Sequence, residues 1–147
     1  MRFLKDEADT IAFGAELGMR LKAGDVVYLL GDLGAGKSTL ARGLIRSLTR
    51  PDQDVPSPTF TLVQTYEGRD FDIAHFDLYR LENPEDIYET GLFEMAEDHL
   101  CLIEWPQRLG HLGFDAPWVI RLKNHTNDEG VAGRLVDLIS PQDTPLT

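Results

Sequence analysis

Residues 31–38 read Gly31-Asp32-Leu33-Gly34-Ala35-Gly36-Lys37-Ser38, a full match to the phosphate-binding loop pattern Gly-x4-Gly-Lys-Ser/Thr. This pattern is informative when a strand precedes it and a helix follows it. The preceding run Val26–Leu30 is continuous, apolar and β-branched at two positions, as in a strand that is buried on both faces. Apolar residues then recur at helical spacing, at Leu40, Ala41, Leu44, Ile45 and Leu48. The segment predicts a strand, a phosphate-binding turn and a helix.

A loop of this kind binds phosphate mainly through its backbone. Successive N–H groups surround the anion at the N-terminus of the following helix, where the helix dipole favours negative charge. The glycines keep side chains away from the phosphate. We expect Lys37 to reach the β- and γ-phosphates of a nucleotide, and the Ser38 hydroxyl to coordinate a Mg²⁺ ion that bridges them.

The composition indicates one globular domain. A chain of 147 residues can bury one core but not two, so we assign the domain to residues 1–140 and expect a frayed polar tail at residues 141–147. Cys101 is the only cysteine, which excludes an intramolecular disulfide and a cysteine metal cluster. No apolar run approaches the roughly 20 residues that span a bilayer, and no secretory leader is visible. We therefore expect a cytoplasmic protein without membrane contact.

The net charge of −11 restricts the partners. Proteins that bind nucleic acid usually present a basic surface, so unaided binding to tRNA or DNA is not expected. The acidic residues are distributed over the whole chain, which is typical of a solvated surface. A basic partner protein is compatible with this charge.

The remaining segments predict a mixed sheet. A first helix is capped by Asp6 or Asp9 and ends near Gly24. Two prolines on either side of Ser57 force an extended loop. Strand-like runs occupy residues 60–66, 71–79, 101–105, 118–122 and 134–139, and short helices fill residues 84–99. The first two runs and the last two predict antiparallel hairpins. The predicted fold is α/β, a single P-loop NTPase-like domain with a mixed parallel and antiparallel sheet flanked by helices.

Two carboxylates are candidates to complete the site. Hydrolysis requires an acid near the Mg²⁺ and a group that orders water. Asp77 and Glu104 each end a predicted strand, and ligands of α/β sheets gather at the carboxyl ends of strands. The residues alone do not rank these two. Thr59 follows Pro-Ser-Pro and either directs its hydroxyl toward the γ-phosphate, as a switch loop does, or serves as a turn residue.

Two neighbouring residues are interpreted mainly as packing. His75 is assigned no chemistry, because no second histidine lies at ligand spacing. Trp105 is expected in the core, although its position directly after Glu104 also permits a role in the site.

Four segments together resemble the bacterial TsaE family, also called YjeE, whose members are small P-loop ATPases of tRNA modification. In the order of the family's signatures, these segments are residues 31–39, Ser57-Pro58-Thr59-Phe60-Thr61-Leu62-Val63, His75-Phe76-Asp77-Leu78-Tyr79-Arg80-Leu81 and Ile103-Glu104-Trp105-Pro106. The fold of the family is a mixed α/β sheet of P-loop type, which agrees with the elements predicted above.

The resemblance implies a role for individual residues. ATP is held by Gly34, Ala35, Gly36, Lys37, Ser38 and Thr39. Mg²⁺ is coordinated by Ser38 and Glu104, and Asp77 assists hydrolysis. Together with Lys37 and Thr59, whose roles follow from their own segments, Asp77 forms the predicted catalytic group. Thr10 lies near the adenine, and Arg134 borders the nucleotide. Trp105, from its position after Glu104, is also counted among the predicted nucleotide contacts. Ser38 stands where the family usually has threonine and keeps the hydroxyl, whereas Gln107 stands where an acid is common and leaves the role of that position open.

The resemblance also implies an indirect function. TsaE proteins act as ATP-driven accessories of the TsaD–TsaB enzyme, which places a threonylcarbamoyl group on the adenosine immediately 3′ of the anticodon. The expected activity is a weak ATPase that these partners stimulate. This agrees with the acidic charge, because basic partners can hold the tRNA. A small-molecule P-loop kinase and a non-hydrolysing, nucleotide-gated interaction module are the two alternatives.

Overall fold

A computed structural model describes residues 1–141. In chain order the elements are β1 (Arg2–Leu4), α1 (Glu7–Gly18), β2 (Val26–Leu30), α2 (Lys37–Leu48), β3 (Val63–Tyr66), β4 (Ile73–Asp77), a 3-10 helix (Pro84–Thr90), α3 (Leu92–Met95), β5 (Leu100–Glu104), a second 3-10 helix (Pro106–Leu112), β6 (Trp118–Thr126) and β7 (Ala132–Ile139). The tail that we predict at residues 141–147 lies outside the described residues, apart from its first member.

The seven strands form one sheet in the order β1-β7-β6-β2-β5-β4-β3. β2 pairs in parallel with β5 and with β6, and β4 pairs in parallel with β5. The pairs β3–β4, β6–β7 and β1–β7 are antiparallel. The predicted α/β class with a mixed sheet is confirmed. Because β2, β4 and β5 run in the same direction, the loop after β2 meets Asp77 and Glu104 at one edge of the sheet.

Helices cover both faces of the sheet. One apolar cluster joins α1 and α2 to the sheet through residues such as Leu17, Leu40, Leu44, Val27 and Leu102. The second cluster lies under α3 and the two 3-10 helices and includes Phe76, Ile87, Leu92, Ile103 and Leu109. Adjacent residues of β5 thus enter opposite clusters, as the alternation of a strand buried on both faces requires.

Two glycines bring α1 and α2 into backbone contact. A Cβ atom on Gly14 would lie 2.3 Å from the carbonyl oxygen of Leu40, and one on Gly43 would lie 2.3 Å from that of Ile11. No side chain fits at either position. This close approach sets the position of α2, and the phosphate loop leads directly into α2.

The first helix is shorter than predicted. Asp6 is its N-cap and accepts a hydrogen bond from the N–H of Asp9, but the helix ends at Gly18 rather than near Gly24. Within residues 1–141 no helix is long and apolar enough to cross a membrane.

The strands differ from the prediction at their ends. β3 begins at Val63 rather than Phe60, because Leu62 donates its N–H to the carbonyl of Pro58 at 2.7 Å and adopts a φ of 72°. This turn precedes the strand. β1 was not predicted, since three residues are too short for a periodic signal. The β3–β4 and β6–β7 hairpins are confirmed. In the second hairpin both strands extend further toward the turn than predicted, because β6 ends at Thr126 and β7 begins at Ala132.

Candidate nucleotide site

A cleft of about 300 Å³ lies where the phosphate loop meets the ends of β4 and β5. Most of the predicted site residues line this cleft: Gly34, Gly36, Lys37, Ser38, Thr39, Thr59, Asp77, Glu104, Trp105 and Arg134. A second cavity of about 370 Å³ lies beside Gly31 and is lined by Arg121, Lys123 and Asp137 among others. Neither Lys37 nor Glu104 lines this cavity, so the first cleft is the candidate nucleotide site.

The backbone of the phosphate loop depends on glycine. Gly34 and Gly36 have φ values of 81° and 103°, which side-chain-bearing residues rarely adopt. A Cβ atom on Gly36 would also lie 2.7 Å from Nε of Arg134. Arg134, on β7, therefore packs directly across the loop. α2 begins at Lys37 with no side chain capping it, so N–H groups of its first turn are available to an anion.

The charged side chain of Lys37 is buried and is stabilised by two neighbouring groups. Its Nζ donates to the carbonyl of Gly31 at 2.7 Å, and the same Nζ lies 4.3 Å from the ring centroid of Trp105. Trp105 has a positive φ of 57°, which is unusual for an aromatic residue and turns the chain between β5 and the next helix. Trp105 also packs against Tyr79, so it serves both the core and the cleft.

Asp77 is fixed by hydrogen bonds to both of its carboxylate oxygens. Oδ1 accepts the N–H of Tyr79 at 3.0 Å, and Oδ2 accepts the hydroxyl of Thr59 at 2.9 Å. The Thr59 hydroxyl in turn lies 2.7 Å from that of Ser57. The loop that the two prolines stiffen is thus connected directly to the carboxylate at the end of β4.

Glu104 is fixed by a histidine in the interior of the sheet. Its Oε2 lies 2.7 Å from Nε2 of His75, and both side chains are buried. Glu104 stands opposite Asp77 in the β4–β5 register. His75, to which we assign no chemistry from the sequence, thus contacts one of the two carboxylates of the cleft. The available signal was its position two residues before Asp77, which places both on the same side of β4.

The residues of the cleft suit a magnesium ion that accompanies a nucleotide. Residues 1–141 contain no group of three or more His, Cys, Asp or Glu side chains arranged to hold a metal. Mg²⁺ at nucleotide sites usually takes one or two protein oxygens together with phosphates and water. The Ser38 hydroxyl and the Glu104 carboxylate are oxygen donors of this kind, and both line the cleft.

Two predicted nucleotide contacts do not line the cleft. Thr10 is fully buried and donates its hydroxyl to the carbonyl of Asp6 at 3.3 Å, within its own helix. Ala35 packs its methyl group into the core and donates its N–H to Asp32 at 3.0 Å. Leu33 and Ser57 line the cleft, although we assigned neither a role from the sequence.

Comparison with known proteins identifies a family. The family model "Threonylcarbamoyl adenosine biosynthesis protein TsaE" matches residues 4–134. A Rickettsia felis protein called tRNA threonylcarbamoyladenosine biosynthesis protein TsaE is 44% identical over 112 residues, which are 76% of this chain and 66% of that protein. A Haemophilus influenzae protein of the same name is 41% identical over 113 residues, 73% of this chain and 71% of its own length.

A solved structure shares the fold. YdiB from Bacillus subtilis superposes with a TM-score of 0.69 and 26% sequence identity, covering 90% of this chain and 80% of its own. The match to this chain spans slightly less than two thirds of two Rickettsia relatives, 66% of the R. felis protein and 64% of the R. conorii protein.

Proposed function

This chain belongs to the TsaE family of threonylcarbamoyl adenosine biosynthesis proteins, and we propose that it binds and slowly hydrolyses ATP with Mg²⁺ as an accessory of tRNA threonylcarbamoyladenosine formation. The partners in this proposal are TsaD and TsaB, which perform the transfer. The observation that carries the proposal is a complete phosphate loop facing two oriented carboxylates in one cleft.

Binding in this proposal relies on the loop and the start of α2. N–H groups of the first turn of α2 and the Lys37 ammonium face the cleft and match the charge of a triphosphate. Ser38 and Glu104 supply oxygen ligands for Mg²⁺, which when bound neutralises charge on the β- and γ-phosphates. Arg134 and Trp105 close the sides of the cleft.

Hydrolysis in this proposal relies on Asp77. Enzymatic phosphoryl transfer depends mostly on positioning and charge stabilisation, so the main requirement is an oriented acceptor for the attacking water. Thr59 and the N–H of Tyr79 hold the Asp77 carboxylate in one orientation. Asp77 then orients the water and accepts its proton as the water oxygen bonds to the γ-phosphorus. The bond from the γ-phosphorus to ADP breaks, and ADP and inorganic phosphate are released.

The loop at residues 57–60 offers a means to report the nucleotide state to partners. Thr59 contacts Asp77 inside the cleft, while the next residue, Phe60, is 80% exposed. A γ-phosphate that engages Thr59 would order this loop, and hydrolysis would release it. The net charge of −11 supports a division of labour in which the partner proteins contact the tRNA.

A phosphate-release assay with and without TsaD–TsaB tests the proposal. We expect slow, Mg²⁺-dependent release of phosphate, no phosphorylated acceptor, and a higher rate when both partners are present. Transfer of the γ-phosphate to a metabolite would establish the kinase alternative. Tight ATP binding without hydrolysis, even with the partners, would establish the nucleotide-gated module.

A further inference from the structure

A buried histidine supports the carboxylate that faces the cleft. The side chains of His75 and Glu104 are 2% and 5% exposed, and their closest atoms, Nε2 and Oε2, are 2.7 Å apart. Glu104 lines the cleft, whereas His75 does not. The Glu104 side chain therefore extends from the sheet interior to the nucleotide site, and His75 contacts its inner oxygen.

The second ring nitrogen of His75 indicates where the proton lies. Nδ1 is buried and has no hydrogen-bond partner among the described residues. A buried N–H without an acceptor is costly, whereas Nε2 has a carboxylate oxygen in reach. We therefore assign the proton to Nε2, which donates to Oε2 of Glu104.

The neighbouring strand explains why Glu104 needs a support. Asp77 stands beside it in the parallel register, and two adjacent carboxylates repel each other. Both oxygens of Asp77 already accept hydrogen bonds from other groups. The bond from His75 fixes Oε2, while Oε1 of Glu104 has no hydrogen bond within residues 1–141.

We propose that His75 is a positioning residue, which orients Glu104 so that one carboxylate oxygen is presented to the Mg²⁺ of the nucleotide complex. This role rests on the proposed function, because it requires Glu104 to be a metal ligand. Partners that orient a metal ligand by hydrogen bonding typically change metal affinity about 10- to 100-fold when removed. A positioning role differs from packing in its consequence: loss of His75 should lower the affinity for Mg²⁺ but not the affinity for nucleotide without Mg²⁺.

The experiment compares His75→Leu, which removes the donor at similar size, with His75→Gln, whose amide can still donate. Mg²⁺ is titrated into the complex of the protein with fluorescent mant-ADP, and mant-ADP affinity is measured separately in EDTA. We expect His75→Leu to weaken the apparent Mg²⁺ affinity about 10- to 100-fold and to leave the EDTA affinity within about twofold. His75→Gln should recover most of the loss.

Two control variants separate positioning from general effects. His99 forms a histidine–carboxylate pair with Asp98, away from the cleft, so His99→Leu should leave the Mg²⁺ titration unchanged. In a Glu104→Gln background the charged ligand is already lost, and there His75→Leu should have little further effect on Mg²⁺ affinity.

Equal Mg²⁺ affinity of the native protein and His75→Leu would overturn the role, as would an equal loss of affinity with and without Mg²⁺. If His75→Leu does not fold, a ¹H–¹⁵N correlation spectrum of the histidine rings in the native protein shows which nitrogen of His75 carries the proton. The proton is expected on Nε2, and a proton on Nδ1 would contradict the donation to Glu104. Native ADP binding that ignores Mg²⁺ would contradict the proposed function itself and is recognised without any variant.

Discussion

The two walls of the cleft are built from different parts of the chain. One wall, the loop wall, consists of Leu33, Gly34, residues 36–39 and Arg134, and it is shaped by glycine backbone at positive φ. The other, the strand-end wall, consists of Thr59, Asp77 and Glu104, whose side chains are each fixed by a hydrogen bond. The first wall supplies N–H groups, the cationic side chains of Lys37 and Arg134 and the Ser38 hydroxyl, and the second supplies oriented oxygens.

In the proposed function, this difference assigns nucleotide binding to the loop wall and hydrolysis to the strand-end wall. Changes in the loop wall should weaken the affinity for nucleotide, because the proposal places the phosphates against that wall. Changes in the strand-end wall should slow turnover while the nucleotide stays bound, because the proposal assigns the orientation of the attacking water to that wall. Variants of the two walls test whether ATP affinity and the rate of hydrolysis can be changed independently.

Asp77→Asn should have the largest effect. The amide keeps the shape of the carboxylate but cannot accept a proton, so kcat should fall by about 10²–10⁴, the usual contribution of a positioned acid or base. ATP affinity should stay within about threefold of the native value. Steady-state phosphate release and equilibrium ATP binding measure the two quantities, and a kcat near the native value would remove Asp77 from the mechanism.

Lys37→Ala should have the next largest effect, on binding. The loss of a desolvated charged contact to phosphate costs roughly 2–4 kcal/mol, or about a 30- to 1000-fold higher Kd for ATP. Isothermal titration calorimetry measures this Kd. Lys22→Ala is the matched control, because Lys22 is exposed and does not line the cleft. Unchanged ATP affinity in Lys37→Ala would place the phosphates elsewhere.

Thr59→Val tests the link between the proline-stiffened loop and Asp77. It removes a hydrogen bond to a carboxylate, an interaction of about 1.5–3 kcal/mol. We expect kcat to fall about 10- to 100-fold with little change in ATP affinity. Thr61→Val serves as the control, because the Thr61 hydroxyl contacts Gln64 and not Asp77. If both variants slow turnover equally, the loop as a whole is responsible and not the bond.

The difference in ATP affinity between Gly34→Ala and Gly36→Ala should be the smallest effect. It tests whether the contact of the loop with Arg134 is rigid. Alanine strains the backbone at both positions by about 1–2 kcal/mol. Only at Gly36 would the new methyl group also meet Arg134, since nothing lies within 4 Å at Gly34. Gly36→Ala should therefore weaken ATP binding more than Gly34→Ala, by about tenfold. Equal losses would show that Arg134 can move aside.

Cys101 provides a folding control for all of these variants. Burial, with a smaller contribution from the charge of Asp98, raises the pKa of its thiol to about 12. An unfolded cysteine has a pKa near 8.5 and reacts readily with thiol reagents at pH 8. In variants that keep the native fold, the Cys101 thiol should therefore react as slowly with thiol reagents as in the native protein. Fast reaction identifies a variant that is unfolded or partly unfolded.

Gly34, Gly36, Lys37, Ser38 and Thr39 of the loop wall could be predicted from the sequence, because the features of a phosphate loop are local. Arg134 lies on β7 and was predicted only by resemblance. The strand, the glycines, Lys37 and Ser38 are contiguous, and each has a role that depends on its immediate neighbours. Asp77 and Glu104 were also identified, since the end of a strand is a local property. Thr10 was placed near the nucleotide only by resemblance, and the structure shows its hydroxyl bonded within its own helix.

The connections within the strand-end wall could not be predicted. His75 and Glu104 are 29 residues apart in sequence, and Thr59 and Asp77 are 18 apart. The contact between His75 and Glu104 depends on the register of β4 against β5, and the contact between Thr59 and Asp77 depends on the turn at Leu62. Neither can be inferred from neighbouring residues alone. A histidine in an apolar strand has the same local pattern whether it packs or positions a ligand.

A single-turnover experiment tests the separation of the two walls most directly. Excess protein is mixed with radiolabelled ATP and Mg²⁺, and both the fraction of ATP bound and the rate of its cleavage are followed for the native protein, Lys37→Ala and Asp77→Asn. We predict that Asp77→Asn binds as much ATP as the native protein and cleaves it at least about 100-fold more slowly. Lys37→Ala should fail to bind at concentrations that saturate the native protein. Loss of binding in Asp77→Asn, or cleavage at the native rate, would contradict the account.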